Sequence, residues 1–189
     1  MTAGGGPASE VALGGLQLMP PMPSDLDELL DFELRNRAFF EAHINARPAV
    51  YYSADGVRAA IATARREADE DKGYQYLVRD ASGALVGRVN LSRVRRAHFH
   101  SADLGYRVAE SAQGRGVARE GVRQVLALAF GELKLVRVEA TARDGNEGSA
   151  RVLLRNGFSA FGRSRRSFEL AGAWHDLVHY ERRLDDVPA

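Results

Sequence analysis

Six consecutive residues, Gln113-Gly114-Arg115-Gly116-Val117-Ala118, constrain this chain more than any other stretch. Leu104-Gly105-Tyr106-Arg107-Val108, just before them, has the character of a strand. Just after them Ala118, Val122, Val125, Leu126, Ala129 and Leu133 recur on one side of a helix. A glycine loop between a strand and a helix start leaves several backbone N–H groups without an intrahelical partner. The same helix start carries roughly half a positive charge from the macrodipole. Together these make an anion site, and phosphate is the usual anion. The two glycines let the backbone come close to a ligand, because no Cβ stands in the way.

Three phosphate-binding loops compete for this stretch. The P-loop requires Gly-x-x-x-x-Gly-Lys-Ser/Thr. The chain has two lysines, Lys72 and Lys134, and neither follows a glycine pair. The dinucleotide fingerprint Gly-x-Gly-x-x-Gly is a nearer rival. Gly114 and Gly116 fit it, and Glu139 lies about twenty residues on, where a ribose-binding acid would stand. However, Arg119 occupies the place of the third glycine. About fifty residues remain after Glu139, too few for the rest of a doubly wound dinucleotide domain.

The third candidate fits throughout. The stretch resembles the Gln/Arg-x-x-Gly-x-Gly/Ala signature of the GNAT N-acetyltransferases, which binds the pyrophosphate of acetyl-CoA. Gly114-Arg115-Gly116-Val117-Ala118-Arg119-Glu120 is similar to the Gly-x-Gly-x-Ala-Thr-Glu version of the RimJ/RimL-type branch, the bacterial ribosomal-protein N-terminal acetyltransferases. Arg35-Asn36-Arg37-Ala38-Phe39-Phe40 resembles that branch's Arg-Asn-Arg-x-Phe-Phe. Asn146-Glu147-Gly148-Ser149 with Asn156-Gly157-Phe158 resembles its Asn-x-x-Ser…Gly-Phe, and Gly172-Ala173-Trp174-His175-Asp176 its Gly-x-Trp-x-Asp. The likeness covers about residues 16–184. It departs from the branch at Met19, Arg119 and Asp144, where arginine, threonine and proline are common.

The resemblance implies an α/β fold of the GNAT type: a splayed, mixed β-sheet with helices on both faces, in the order β-α-α-β-β-β-α-β-α-β-β. The residues support such an order. Residues 1–14, rich in Gly and Ala, are expected to be a flexible tail, and 15–185 a single domain. Leu16–Met19 predicts a short strand. Ser24 predicts an N-cap, with Asp27 at the capping-box position and Leu26, Leu29, Leu30 and Leu34 on the inner face. A short helix is expected over Arg37–His43, and Ser53 is expected to cap another, with Val57, Ala60, Ile61, Ala64 and Ala68 inward. Tyr74–Arg79 and Leu85–Leu91 flank a hairpin turn, and Asp103–Val108 leads into the glycine loop. Val136–Thr141 predicts a strand and Ser149–Asn156 a helix stopped by Gly157. Ser159–Leu170 and Trp174–Arg183 predict a closing hairpin.

The formal net charge of +1 gives no electrostatic case for nucleic acid or an anionic membrane. The absence of cysteine excludes disulfides, thiolate metal sites and an acetyl-cysteine intermediate, so transfer is expected to be direct. No histidine pair shows metal-ligand spacing. The first residues lack the basic and apolar regions of a signal peptide, and no apolar run approaches ~20 residues, so a cytoplasmic location is expected.

Acetyl-CoA is then the implied acyl donor. Backbone groups of Tyr106, Arg107 and Val108 are expected to bond its pantetheine arm, or else to be ordinary strand residues. Residues Gln113, Gly114, Arg115, Gly116, Val117, Ala118 and Arg119 would hold the pyrophosphate, the two arginines adding charge or serving as solvated surface. Asn146 would bond the pantetheine amides or shape the turn. Ser149 stands where the branch carries a serine proposed to protonate the departing thiolate; otherwise it caps a backbone N–H. Related enzymes often place a tyrosine four residues later, where this chain has Leu153. Glu139 matches a strand glutamate that relatives use as general base, or it forms a salt bridge to an arginine. Asn36, Tyr51, His100 and Trp174 would line the acceptor pocket, with Tyr51 and Trp174 equally suited to the core.

The resemblance points to a protein N-terminal α-amine as acceptor. The alternatives are a small amine such as an antibiotic or polyamine, or an acetyl-CoA-binding module without turnover. An α-amine with a pKa of about 7.8 is about one-third neutral at pH ~7.5, a deficit of roughly 0.4 kcal/mol. A lysine near ~10.4 would require about 4 kcal/mol. An N-terminal acceptor therefore asks little of a base. The sequence leaves the oligomeric state open.

Overall fold

A seven-stranded sheet, described here in a computed structural model covering residues 15–186, organises the chain in the order β1-β2-β3-β4-β5-β7-β6. The expected tail, 1–14, lies outside the described residues. The strands are β1 (Gln17–Met19), β2 (Tyr74–Arg79), β3 (Leu85–Arg95), β4 (Ser101–Val108), β5 (Arg137–Arg143), β6 (Ser159–Leu170) and β7 (Ala173–Arg183). All neighbours are antiparallel except β4 and β5, which run parallel. The helices are α1 (Leu26–Arg35), α2 (Arg37–Glu41), α3 (Ala54–Asp69), α4 (Val117–Gly131) and α5 (Glu147–Arg155). The mixed sheet matches the expected fold class, and the short helix expected over Arg37–His43 is present as α2, a third helix before β2 that the order implied by the resemblance does not count.

One irregularity of the sheet creates the site. β4 pairs with β5 only over Ser101–Asp103 against Arg137–Glu139. β4 is held by β3 as far as Val108, while β5 is held by β7 along its whole length. The two halves therefore share three rows and then part, leaving a V-shaped gap beyond Asp103.

Side-chain alternation decides what covers each face. Val89, Leu91, Leu104 and Tyr106 share one face, and α4 packs there. A Cβ on Gly121 of α4 would lie 3.2 Å from Val89 Cγ2, so a larger residue there would make the valine side chain or the helix shift slightly. Val122, Val125, Leu126 and Ala129 of α4 are buried, as the helical spacing predicts. Each such valine or leucine contributes roughly 1.5–3 kcal/mol. The other face carries Arg88, Arg107, Asp103 and, by the parallel register, Glu139. Helix α1 packs on it.

Several local expectations hold. The Gly56 N–H donates to Ser53 Oγ at 3.1 Å, capping α3. Gly157 (φ +77°) ends α5: Phe158 N–H reaches Leu153 O and Gly157 N–H reaches Leu154 O, a Schellman pair of bonds.

Others need correction. Ser24 does not cap α1. It sits in a 3-10 turn, Pro23–Asp25, and Asp25 takes the N-cap position, so α1 begins one residue later than a Ser24 cap would place it. Asp25 redirects the chain there, accepting from Met22 N–H at 2.7 Å and from Arg79 at 2.9 Å. Leu34 is exposed; Phe32 and Glu33 take the inward positions, because Glu33 finds arginine partners on the sheet. Strand β3 extends to Arg95 and β4 starts at Ser101, both longer than expected.

Candidate active site

Strand β4 feeds the glycine loop through Ala109 and a 3-10 turn, Glu110–Ala112. Gly114 (φ +72°) and Gly116 (φ +82°) both adopt the left-handed conformation that other residues enter only at a cost. Space around both is open, so conformation rather than crowding selects glycine. Gly116 is the N-cap of α4 and offers no side-chain cap. The first bond back along the helix runs from Glu120 N–H to Gly116 O. The amides of Val117, Ala118 and Arg119 thus have no helical acceptor. Arg115 and Arg119 are exposed beside them and form no salt bridge among the described residues. A cavity of about 250 Å³ adjoins the loop, lined by Leu16, Asp80, Val86, Arg115, Gly116 and Val117 among others. Open amides, a helix N-terminus and flanking guanidiniums fit a diphosphate.

The gap edge of β4 supplies the next contacts. His100 O accepts from Val136 N–H toward β5, and Ala109 N–H donates to Val86 O toward β3. Strand residues alternate in which edge they face. Leu104, Tyr106 and Val108 therefore turn their N–H and C=O groups away from β3 and toward the gap, where the Val108 oxygen is already engaged by Gln113. This corrects the expectation for Arg107, whose backbone faces β3. Gln113 does not reach outward by its amide: its Nε2 donates to Val108 O at 3.0 Å and fixes the loop to the strand end.

Asn146 and Ser149 hold the far side of the gap. Asn146, not Ser149, is the N-cap of α5, accepting from Ser149 N–H at 3.1 Å. The capping alternative for Ser149 thus falls away. The Ser149 hydroxyl instead lies 2.8 Å from Tyr106 Oη, across the gap from β4. Burial pushes the Tyr106 phenol up to about 12, so it stays protonated and can donate to Ser149 Oγ. The serine's own proton is then available to another acceptor. Leu153 lies in the core, so a phenol stands beside Ser149 after all, supplied from β4. The sequence reading missed this side chain, because a strand tyrosine before a glycine loop also serves as ordinary core.

Glu139 stands at the last shared row, where the halves part. Its carboxylate accepts from Arg95 at 2.9 Å and lies 2.7 Å from Arg137. It occupies the face opposite Ser149, so the two would approach a thioester in the gap from opposite sides.

The four expected acceptor-pocket residues are not brought together. Asn36 is buried and donates to Phe32 O at 2.8 Å while accepting from Glu110 N–H at 2.9 Å. It ties the end of α1 to the glycine loop, with both ends of its amide engaged in doing so. Tyr51 is buried and accepts from Arg88 at 2.8 Å. His100 precedes β4, at the end of the strand opposite Val108, about 25 Å away at ~3.3 Å per residue. Trp174 is exposed near the tip of the β6–β7 hairpin.

A further group near the site was not recognised in the sequence. Glu33 of α1 is wholly buried and ion-paired to Arg88 of β3 and, at 3.2 Å, to Arg107 of β4. Burial opposes its ionisation, but the guanidiniums of Arg88, Arg107 and Arg47 outweigh that and hold its pKa below the usual value. The signal was present: Glu33 falls on the stripe of Leu26, Leu29 and Leu30. Among the described residues, no group of three or more His, Cys, Asp or Glu side chains is placed to hold a metal. No helix among them is long and apolar enough to cross a membrane.

A splayed parallel pair, a glycine loop capping the following helix and an asparagine-capped helix across the gap define an acyl-CoA-dependent N-acyltransferase. The model of the acetyltransferase (GNAT) domain matches residues 16–159, and the chain belongs to that family. It is 34% identical over 162 residues to a Bacillus subtilis (strain 168) protein named "Probable N-acetyltransferase YjcK", covering 85% of this chain and 90% of that one. It is 24% identical over 155 residues to the [ribosomal protein uS5]-alanine N-acetyltransferase of Escherichia coli (strain K12), covering 82% and 80%. Among solved structures, the ribosomal-protein-S5-alanine acetyltransferase of Vibrio fischeri superposes with a TM-score of 0.89 at 23% identity, over 96% of this chain and 100% of that one. Mycobacterium smegmatis RimJ in complex with CoA-disulfide gives 0.85 at 25%, over 92% and 84%. The chain is thus a GNAT N-acetyltransferase, an acyltransferase whose family uses acetyl-CoA as donor.

Proposed function

We propose that this enzyme acetylates a protein N-terminal α-amine, of the ribosomal-protein-alanine type, by direct attack in a ternary complex. The amides of Val117–Arg119 bind the diphosphate, and the gap edge of Leu104, Tyr106 and Val108 aligns the pantetheine arm. Acetyl-CoA supplies the activated acyl group. Ser149, with its proton freed by Tyr106, donates to the departing thiolate. Glu139 accepts the amine proton, directly or through water. No cysteine is present for an acyl-enzyme route.

The observation that carries the acceptor class is the state of Glu139. Both of its oxygens already engage guanidiniums. Ion-paired on both oxygens, the carboxylate must give up a guanidinium contact before it can meet an amine. An α-amine needs roughly 0.4 kcal/mol of help toward its neutral form at pH ~7.5 and a lysine side chain about 4, so the arrangement suits the α-amine better. The name of the Escherichia coli relative agrees with this reading.

The test is thiol release from acetyl-CoA with N-terminal peptides, peptides with a blocked N-terminus and free lysine, spermidine and an aminoglycoside. Free N-terminal peptides should be the efficient acceptors. Faster turnover of spermidine or of the blocked lysine peptide would refute the assignment.

A further inference from the structure

The Glu33 cluster has more positive charge than its carboxylate can neutralise. Arg88 is the structural member: buried, it donates to Glu33, to Tyr51 Oη at 2.8 Å and to Gln75 Oε1 at 2.8 Å. Arg107 makes one contact with Glu33, at 3.2 Å, and lies over the Phe40 ring at 5.1 Å. Its side chain keeps 19% of its surface accessible. Arg47, in the loop between α2 and α3, stacks over the Tyr51 ring at 4.2 Å. Its buried Nε has no hydrogen-bond partner. Arg47 forms no salt bridge among the described residues, and its charge acts on both Glu33 and Arg107. Burial, with the repulsion of Arg47 and Arg88, pulls the Arg107 guanidinium down to about 10 despite Glu33.

Two guanidiniums paired to one carboxylate, with a third, Arg47, stacked on the neighbouring Tyr51 ring, and with Arg47 and Arg107 incompletely bonded, make an arrangement that a further anion would complete. The position gives that anion a purpose. Arg107 is flanked in sequence by Tyr106 and Val108, whose backbones face the gap. Its side chain emerges on the face of Glu139, from which the amine would approach.

We propose that Arg47 and Arg107 form an acceptor subsite for an anionic group, so that the preferred substrate is an N-terminal peptide with Asp or Glu within its first few residues. This rests on the N-terminal acetylation proposed above and narrows it. The cluster would also repel polyamines, which carry several positive charges.

The experiment compares kcat/KM for Ala-Glu-Glu and Ala-Gln-Gln peptides, with phosphoethanolamine as a second arm for a phosphate-bearing amine. A charge-assisted contact is worth roughly ten- to a hundredfold. The acidic peptide should be preferred by at least about tenfold, mostly through KM. The preference should fall toward one in Arg47→Gln, and in the wild type as salt rises from about 50 to 500 mM. Arg47 lies in a surface loop, so the melting temperature of the variant checks folding. A parallel readout is independent of turnover: calorimetric binding of N-acetylated Ala-Glu-Glu and Ala-Gln-Gln to enzyme saturated with CoA, which keeps the glycine loop filled. Tighter binding of the acidic product analogue supports the subsite even if the acceptor assignment fails. Preference for phosphoethanolamine, lost in Arg47→Gln, supports the subsite with phosphate as its anion and overturns the peptide assignment. Equal treatment of acidic and neutral ligands by the wild type, or a preference that survives Arg47→Gln, overturns the proposal.

Discussion

Replacing Glu33 with glutamine isolates the charge that holds α1 to the sheet. Glutamine preserves the shape and one acceptor oxygen, but leaves Arg88 and Arg107 facing Arg47 with no anion among them. Glu33 is fully buried and ion-paired to two arginines, so the loss resembles breaking a buried pair rather than a surface one. Two terms oppose each other: the attraction of two guanidiniums is lost, and the desolvation penalty of the carboxylate is relieved. Removing one partner of a buried pair usually costs about 3–5 kcal/mol net, because the remaining charge is uncompensated. For a chain of this length each kcal/mol moves Tm by roughly 2–4 °C, so a fall of about 6–20 °C is expected. Urea denaturation at pH 7.5 should show the same difference.

The pH dependence supplies a second check. Glu33's folded-state pKa lies below the ordinary glutamate value of 4.5, so in this range the unfolded chain binds more protons at this group. Its contribution is complete above about pH 4.5 and is lost as pH falls through the folded pKa. The gap between wild type and Glu33→Gln should therefore narrow below about pH 4.5. A difference under about 1 kcal/mol at pH 7.5, or one that does not change with pH, would refute this account of the cluster.

Acetyl-CoA at a hundred times its Kd should stabilise the wild type by about 2.7 kcal/mol, a rise of roughly 5–11 °C in Tm. Gly116→Asp should abolish that shift, because it forces a side chain and a negative charge onto a left-handed N-cap; a retained shift would contradict the anion site. Ser149→Ala should lower kcat by about ten- to a hundredfold while leaving the cofactor-induced Tm rise intact; an unchanged kcat would reduce the serine to a structural role. Tyr106→Phe should lower kcat with an altered pH–rate profile, since it removes the proton that orients Ser149; a change in stability alone would argue against positioning.

The glycine loop, α4 and the hairpins were legible because each is written locally. Gly114 and Gly116 are demanded by positive φ, the α4 stripe by helical period, and Gly157 by its Schellman bonds. What escaped was non-local. Glu33 was one acid among several until the sheet brought Arg88 and Arg107 beneath it. Asn36 and Tyr51 suggested pocket residues, but partners over 30 residues away use their polar groups. Arg107 belonged to a gap-edge segment by resemblance; only strand register reveals that its backbone faces the other way. Ser149 could be a cap or a donor, and three residues of α5 geometry with one phenol from β4 separate the two.

The most direct measurement is a crystal structure of the enzyme with CoA. The account predicts the diphosphate within about 2.7–3.2 Å of the Val117, Ala118 and Arg119 amides, with the pantetheine arm along Leu104–Val108 and its sulfur near Ser149 Oγ. A diphosphate bound away from Gly114–Gly116, or an arm that leaves the space between β4 and β5 empty, would contradict it.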